Sequence, residues 1–236
     1  MTRYIGITGL KKVGKTTTIE YLVPQLKKRM VRVGTVKVAF KPVSIDVDKN
    51  HYDVQRLRKG VPDKTMFKST IETTIFFNEK MGLKTALEKF SNNLDIVLIE
   101  GFTKDLLGLP QIALVKEKKE EKEVINDFTV AISSIPEFKI KSDNKIYVEF
   151  DKLVEIVEKE AQPLLPGLDC KHCGFDSCNE LMKDIIKGKK TAQDCYVIES
   201  SNQEVSLKVN NQVVPCNPFV QKVFKNVIVG IVDSIK

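Results

Sequence analysis

The hydrophobic residues of the first 160 positions occur in short runs that alternate with amphipathic stretches. Residues 4–8 read as a short apolar strand, residues 9–16 as a glycine-bounded loop, and apolar positions recur at helical spacing from 15 to 29. The run 95–100 is apolar on both faces, which is typical of a central strand in a parallel sheet. Strand, loop and helix in this order predict an α/β domain with a mainly parallel sheet.

The same patterns predict the remaining elements. Strands are expected at 32–38, 65–68, 73–77, 111–115 and 128–133, and helices at 82–90, 151–161, 179–187 and 219–235. Residues 204–215 are expected to form a hairpin around Asn210 and Asn211, because asparagine tolerates positive φ. The alternating charges of 116–123 are typical of a solvated loop or hairpin, and no element is assigned to the polar stretch 41–59.

Cysteine placement divides the chain into two parts. All five cysteines follow position 169, whereas all five arginines lie within the first sixty residues. The segment 163–167, punctuated by proline and glycine, separates the parts, so domains are predicted at 1–162 and 163–236. No apolar run approaches the roughly 18 residues of a membrane span, and no signal-peptide pattern is present. A cytoplasmic protein with no membrane or nucleic-acid partner is expected, although the net charge is +7.

The loop after the first predicted strand matches G-x-x-x-x-G-K-[ST], the phosphate-binding pattern called a P-loop. Its glycines let successive N–H groups face a phosphate, and the helix that follows adds its partial positive charge. Lys15 is expected to reach the β and γ phosphates, and Thr16 to bind Mg²⁺. The predicted nucleotide-binding set is Gly9, Lys12, Val13, Gly14, Lys15, Thr16 and Thr17.

Acidic residues near this loop are candidates for the metal site. Glu100 ends the predicted strand 95–100, at the sheet edge where a Walker B acid serves Mg²⁺. Asp46 and Asp48 follow the second predicted strand, where a switch-type loop could supply another acid to metal or water. The predicted catalytic residues are Lys15, Glu100 and Asp48. The chain contains no Thr-Lys-x-Asp or Asn-Lys-x-Asp motif for reading guanine, so the residues alone leave GTP and ATP open.

Four cysteines form a spaced cluster, C-x2-C-x4-C-x16-C, made of Cys170, Cys173, Cys178 and Cys195. Four thiolates can complete a [4Fe-4S] cluster, whereas a zinc ribbon more naturally presents two C-x2-C pairs. We therefore predict a [4Fe-4S] site, with zinc and a redox or structural thiol group as alternatives. Cys216 lies outside the spacing and is expected to be a buried structural residue.

Four segments of the first part, 9–16, 33–37, 48–60 and 97–102, together resemble the molybdopterin-guanine dinucleotide biosynthesis protein B (MobB) family. The resemblance covers about residues 2–160. It implies a homodimeric GTP-binding P-loop protein with weak GTPase activity that assists the attachment of GMP to molybdopterin. It also places Asp48, Asp53 and Arg56 in the nucleotide or switch region, and implies a guanylyltransferase or a target metalloenzyme as partner.

The cysteine segment is similar to the [4Fe-4S] modules of corrinoid and acetyl-CoA decarbonylase-type proteins, over about residues 163–200. This resemblance implies that the segment binds a cluster. The leading hypothesis is support of molybdenum-cofactor guanylylation with GTP, Mg²⁺ and a [4Fe-4S] cluster. An NTP-dependent metallocentre-maturation or electron-transfer protein and a P-loop kinase of a small metabolite are the alternatives. Copurified molybdopterin, a copurified metalloenzyme, and phosphoryl transfer to a small molecule would distinguish the three in that order.

Overall fold

The structure is a computed structural model that describes residues 1–39, 52–101, 108–140, 142–200, 205, 207–209, 212–214, 216 and 218–235. The strands are β1 (Arg3–Gly9), β2 (Val33–Lys37), β3 (Lys64–Lys68), β4 (Thr73–Phe77), β5 (Ile96–Glu100), β6 (Gln111–Leu114), β7 (Thr129–Ser133), β8 (Lys208–Val209) and β9 (Gln212–Val213). The α-helices are α1 (Lys15–Lys28), α2 (Tyr52–Lys59), α3 (Leu83–Phe90), α4 (Glu121–Val124), α5 (Leu153–Glu160), α6 (Cys178–Ile186), α7 (Tyr196–Ser200) and α8 (Pro218–Ile235). The chain divides into two compact units, residues 1–38 with 93–236, and residues 39–92.

The first unit is built on a five-stranded sheet in the order β2-β5-β1-β6-β7, and every strand pair in it is parallel. Residues 96–99 of β5 are fully buried, because both faces of this central strand are covered. The predicted α/β class with a mainly parallel sheet is confirmed. Since all five strands run the same way, their carboxyl ends meet at one edge and their amino ends at the other.

Side chains from alternate positions of β6 supply two separate cores. Ile112 and Leu114 face the larger one, where Leu22 of α1 and Val157 of α5 pack on the sheet. Ala113 and Val115 face the opposite side and contact residues that include Val124 and Ile132. The sheet therefore has apolar packing on both faces, which is the layered arrangement of an α/β domain.

The charged run 116–123 is not the solvated loop or hairpin that the sequence predicts. It forms a 3-10 turn, Lys118–Glu120, followed by α4. Val124 packs into the second core, so the residues before it are drawn toward the protein, and Glu120 and Glu121 are buried. A carboxylate oxygen of Glu120 accepts a hydrogen bond from the backbone N–H of Lys116 at 2.9 Å, which offsets part of the cost of burying it.

The second unit contains α2, the antiparallel pair β3–β4, and α3. The guanidinium of Arg58 lies 4.3 Å from the centre of the Phe76 ring, and Lys89 pairs with Glu79 at 2.7 Å. Helix α2 occupies the end of the stretch 41–59, to which the sequence pattern assigned no element. The helix has no clear apolar periodicity in the sequence, because Val54 is the one buried residue among its described side chains.

The cysteine segment follows α5 at the amino end of the sheet. Gln162 forms two backbone hydrogen bonds with Tyr4 of β1, at 2.7 and 3.1 Å. Strand β6 pairs with β1 only from Gly6 onward, so Gln162 pairs with the part of β1 that precedes β6. Residues 165–198 then form a small core around Leu181, Met182 and Ile185. No helix within the described residues is both long and apolar enough to cross a membrane.

Candidate functional site

The phosphate loop joins the end of β1 to the start of α1, as predicted. Gly9 and Gly14 have φ of +136° and +91°. A Cβ atom on Gly9 would lie 2.4 Å from the carbonyl oxygen of Leu114, and one on Gly14 would lie 2.6 Å from the Ile135 side chain. Both positions therefore require glycine for conformation and for space. Val13 is fully buried beneath the loop, whereas Lys12 and Thr17 are exposed.

Lys15 is the first residue of α1, and its ammonium group folds back over the loop. Nζ donates hydrogen bonds to the carbonyl oxygens of Gly9 at 2.9 Å and Leu10 at 2.5 Å. Burial lowers the pKa of Lys15, the charge of Glu100 opposes that shift, and the charge of Lys37 adds to it. The loop thus holds the Lys15 ammonium against its own carbonyl oxygens.

Glu100 lies at the carboxyl end of β5, beside the phosphate loop, where the sequence predicts the Walker B acid. Its Oε2 accepts a hydrogen bond from the Thr16 hydroxyl at 2.9 Å, and its Oε1 accepts one from Lys37 Nζ at 2.7 Å. Lys37 ends the segment 33–37 that contributes to the family resemblance, but the sequence pattern assigns it no role. The signal for Lys37 is that it lies near the end of a predicted strand, as Glu100 does, so both side chains are expected at the carboxyl ends of the strands.

The oxygen donors at this edge suit Mg²⁺. Glu100 offers a carboxylate and Thr16 a hydroxyl, and Mg²⁺ commonly takes one or two protein oxygens together with phosphates and water. Within the described residues no group of three or more His, Cys, Asp or Glu side chains could hold a metal ion. A metal at this site would therefore depend on the nucleotide and water for its remaining ligands.

The described structure does not test the second set of candidate residues at this site. Asp46 and Asp48 lie outside the described residues. Asp53 and Arg56 belong to α2, in the second unit. The catalytic role of Asp48 and the switch roles of Asp53 and Arg56 stay predictions.

The four spaced cysteines line one pocket: Cys170, Cys173, Cys178 and Cys195. Cys178 is the first residue of α6, whose N-cap is the Ser177 hydroxyl, an acceptor of the Glu180 N–H. The backbone N–H of Cys178 donates to Asp169 Oδ1 at 2.7 Å, which ties the start of the first cysteine turn to the helix. This hydrogen bond holds the segment of Cys170 and Cys173 close to Cys178.

Cys195 reaches the pocket from a separate turn, after a capping box between Thr191 and Asp194. Burial raises the pKa of the Cys195 thiol, backbone N–H groups of Val197 and Ile198 oppose the shift, and the nearby Cys178 and Cys173 thiols add to it. Four sulfurs around a shared pocket fit the donor chemistry of an iron–sulfur cluster.

Cys216 lies outside this pocket and is partly exposed rather than buried, with its Sγ 3.4 Å from the Val214 carbonyl oxygen. The expectation of a buried structural cysteine is therefore wrong. Cys216 precedes α8, and the described side chains of this helix are mostly exposed, so they form no core that buries the thiol.

The phosphate loop and the cysteine pocket lie at opposite edges of the sheet. Phe128, which immediately precedes β7, belongs to the core of the cysteine segment, and Asp127 pairs with Lys183 of α6 at 2.6 Å. Gly108, shortly before β6, faces the Asn179 side chain. These contacts are at the amino ends of the strands, whereas Gly9 pairs with Leu114 at the carboxyl end. Strands of four to five residues separate the two edges by about 15 Å.

Comparisons with known proteins identify the same two parts. Residues 4–135 match the model of the family "MobB: Molybdopterin guanine dinucleotide synthesis protein B", and residues 165–197 match one described as "Putative Fe-S cluster". A Methanocaldococcus jannaschii protein named "Putative molybdopterin-guanine dinucleotide biosynthesis adapter protein" is 30% identical, over 99% of this chain and 92% of its own length. The Haemophilus influenzae molybdopterin-guanine dinucleotide biosynthesis adapter protein is 27% identical over 55% of this chain and 73% of its own.

Solved structures share the fold of the first part. The crystal structure of Bacillus subtilis MobB aligns with a TM-score of 0.53 at 20% identity, over 68% of this chain and 98% of that one. The part of the chain beyond this likeness is long enough to contain the cysteine segment, which the second family model matches independently.

Proposed function

Because the chain belongs to the MobB family, we propose that it is an adapter of molybdopterin guanine dinucleotide biosynthesis whose P-loop binds GTP and hydrolyses it weakly. The observation that carries the proposal is the meeting of Thr16 and Glu100, 2.9 Å apart, beside the Lys15 ammonium. A hydroxyl, a carboxylate and a lysine in this order match the needs of a magnesium–nucleotide complex. GTP rather than ATP is inferred from the family, and molybdopterin, a guanylyltransferase or target metalloenzyme, and a second copy of the chain are the proposed partners.

Different groups of the chain are proposed to bind the phosphates and the metal. The loop N–H groups and the start of α1 bind the phosphate oxygens, and Lys15 leaves the carbonyl oxygens of Gly9 and Leu10 to neutralise charge on the β and γ phosphates. Thr16 and Glu100 would hold Mg²⁺, which, when bound, neutralises the phosphate charge that develops during hydrolysis. Glu100 also orients water near the metal. Slow hydrolysis is inferred from the family.

The cysteine pocket is proposed to hold a [4Fe-4S] cluster on Cys170, Cys173, Cys178 and Cys195. The four thiols line one pocket. Their spacing, C-x2-C-x4-C-x16-C, lacks the second C-x2-C pair of a zinc ribbon and suits the four corners of a cubane better. About 15 Å of sheet lies between the edges, so the cluster is expected to serve a partner rather than the bound nucleotide.

Calorimetric titration of the full chain with Mg-GTP and Mg-ATP tests the nucleotide proposal. Lys15→Ala should weaken binding at least a hundredfold, because its ammonium is the loop's own charge on the phosphates. Lys28→Ala removes an equal charge from the exposed far end of α1 and should leave binding unchanged. Equal nucleotide affinities of Lys15→Ala and the wild type would refute the P-loop role. Tighter binding of ATP than of GTP would show that the preferred base is adenine.

A further inference from the structure

Lys37 stands at the metal edge of the phosphate site although it lies outside the P-loop pattern. It ends β2, which pairs with β5, and the strand register places Lys37 directly beside Glu100. Its Nζ donates to Glu100 Oε1 at 2.7 Å, while the other carboxylate oxygen serves Thr16. Three parallel strands, β2, β5 and β1, thus bring Lys37, Glu100 and the phosphate loop together at their carboxyl ends.

The Glu100 carboxylate needs a cation in every state of the site. Its side chain is only 12% exposed, and a charge so far removed from water is costly unless it is paired. Lys37 provides that pairing, while its own side chain stays 67% exposed. The charges of Lys15 and Glu100 also interact, but the hydrogen bonds described for Lys15 Nζ go to the carbonyl oxygens of Gly9 and Leu10, whereas Lys37 donates directly to the carboxylate.

Binding of Mg²⁺ would change this balance. A metal held by Thr16 and Glu100 would take over the neutralisation of the carboxylate, and the contacts described for Lys37 include no second acid. Two ammonium groups and one carboxylate already carry a net charge of +1 at this edge. The metal therefore makes a further negative charge next to Lys37 favourable.

We propose that Lys37 is a terminal-phosphate-binding residue that pairs with Glu100 in the empty site and transfers to the γ-phosphate when a magnesium–nucleoside triphosphate binds. The proposal rests on the proposed nucleotide-binding function. In P-loop proteins the metal bridges the β and γ oxygens, and Lys37 lies on the metal side of the loop, next to Thr16 and Glu100. A nucleoside diphosphate lacks the group that Lys37 would bind, so Lys37 favours the triphosphate.

The ratio of triphosphate to diphosphate affinity tests this assignment. Calorimetry on the full chain with Mg-GTP and Mg-GDP should show that Lys37→Met weakens GTP binding about tenfold or more, as for loss of a charged hydrogen bond. GDP binding should change less than about threefold, and Lys37→Arg should keep most of the preference for GTP. If the wild type prefers adenine nucleotides, ATP and ADP replace this pair.

Lys159→Met is the matched control. Lys159 is also an exposed lysine in an ion pair, 2.8 Å from Glu160, and it lies at the end of α5, close to the amino edge of the sheet. Both nucleotide affinities should be unchanged in this variant. Equal losses of GTP and GDP in Lys37→Met would mean that Lys37 only neutralises Glu100, and an unchanged ratio would likewise overturn the proposal. Failure of the wild type to bind any nucleotide would instead refute the proposed function itself.

Discussion

The phosphate loop and the cysteine pocket use opposite ways of holding a charged group. The loop is fixed before any ligand arrives, because Gly9 and Gly14 fit against Leu114 and Ile135 and the buried Val13 anchors it from below. The pocket draws its four thiols from two turns and one helix start, over a core that extends through only about 35 residues. A fold of this size has little apolar area of its own. The comparison indicates that the loop is preorganised by the sheet, whereas the pocket depends on what it binds.

Removal of a cluster ligand should give the largest effect. Cys195→Ser in anaerobically prepared protein should abolish the roughly four iron and four sulfide per chain expected of the wild type, because Cys195 is the proposed fourth ligand and comes from a separate turn. Hydrogen exchange should then accelerate over residues 165–197, while GTP binding at the other edge survives. Iron and sulfide assays with exchange mass spectrometry provide the measurement.

Cys216→Ser is the control for that loss, since Cys216 lies outside the pocket and should leave iron content intact. If the wild-type protein were colourless and contained one zinc per chain, the site would be a mononuclear zinc site and not an iron–sulfur cluster. Loss of GTP binding together with iron would contradict the separation of the two edges.

Gly9→Ala should damage the preorganised loop. Its φ of +136° and the 2.4 Å approach to the Leu114 carbonyl combine backbone strain with a clash against main chain, so we expect a loss of about 2–4 kcal/mol in the free energy of unfolding. Nucleotide binding should be lost with it. Urea denaturation and calorimetry measure the two effects.

Gly82→Ala is the corresponding change at an unconstrained glycine, where φ is −65° and a Cβ meets nothing within 4 Å. It should change the free energy of unfolding by no more than about 1 kcal/mol, because Gly82 is the N-cap of α3 and alanine caps a helix less well than glycine. Equal stability of the two variants would show that the phosphate loop is not rigid in the way the packing indicates.

The ion pair that joins the cysteine segment to the sheet should give the smallest effect. A hydrogen bond from Lys183, and then its charge, lowers the pKa of Asp127. A carboxyl group whose folded pKa is depressed stabilises above its unfolded pKa, near 3.9, and loses that contribution as the pH falls through the folded value. Asp127→Asn should therefore lower Tm by about a degree or two at pH 7, because the pair is exposed.

This difference in Tm between Asp127→Asn and the wild type should stay constant from about pH 7 to pH 5 and shrink below about pH 4. Thermal melts at low ionic strength measure it. A difference that grows on acidification would have the wrong sign for a depressed carboxyl pKa. High salt should reduce it at every pH.

Local patterns predicted most of the first unit correctly. The strand 95–100, the P-loop and the first helix were all placed from apolar periodicity and glycine positions, since a buried parallel strand and a phosphate loop impose their residue types locally. The local pattern does not predict helix α2, because most of its side chains are polar. It also does not predict the burial of Glu120 and Glu121. That burial follows from the packing of Val124 against residues distant in sequence.

The sequence by itself determined which groups this protein carries: two glycines and Lys15 in a loop that only such residues can form, and four cysteines at the spacing of a cluster. Tertiary structure alone decided how those groups relate. Lys37 and Glu100 lie 63 residues apart in the chain, yet the register of β2 and β5 places them 2.7 Å from each other. Phe128 joins the cysteine segment only because β7 begins at the amino edge of the sheet. Strand order and direction are set by packing between distant segments, so the separation of the two sites at opposite edges follows from the fold and not from any local motif.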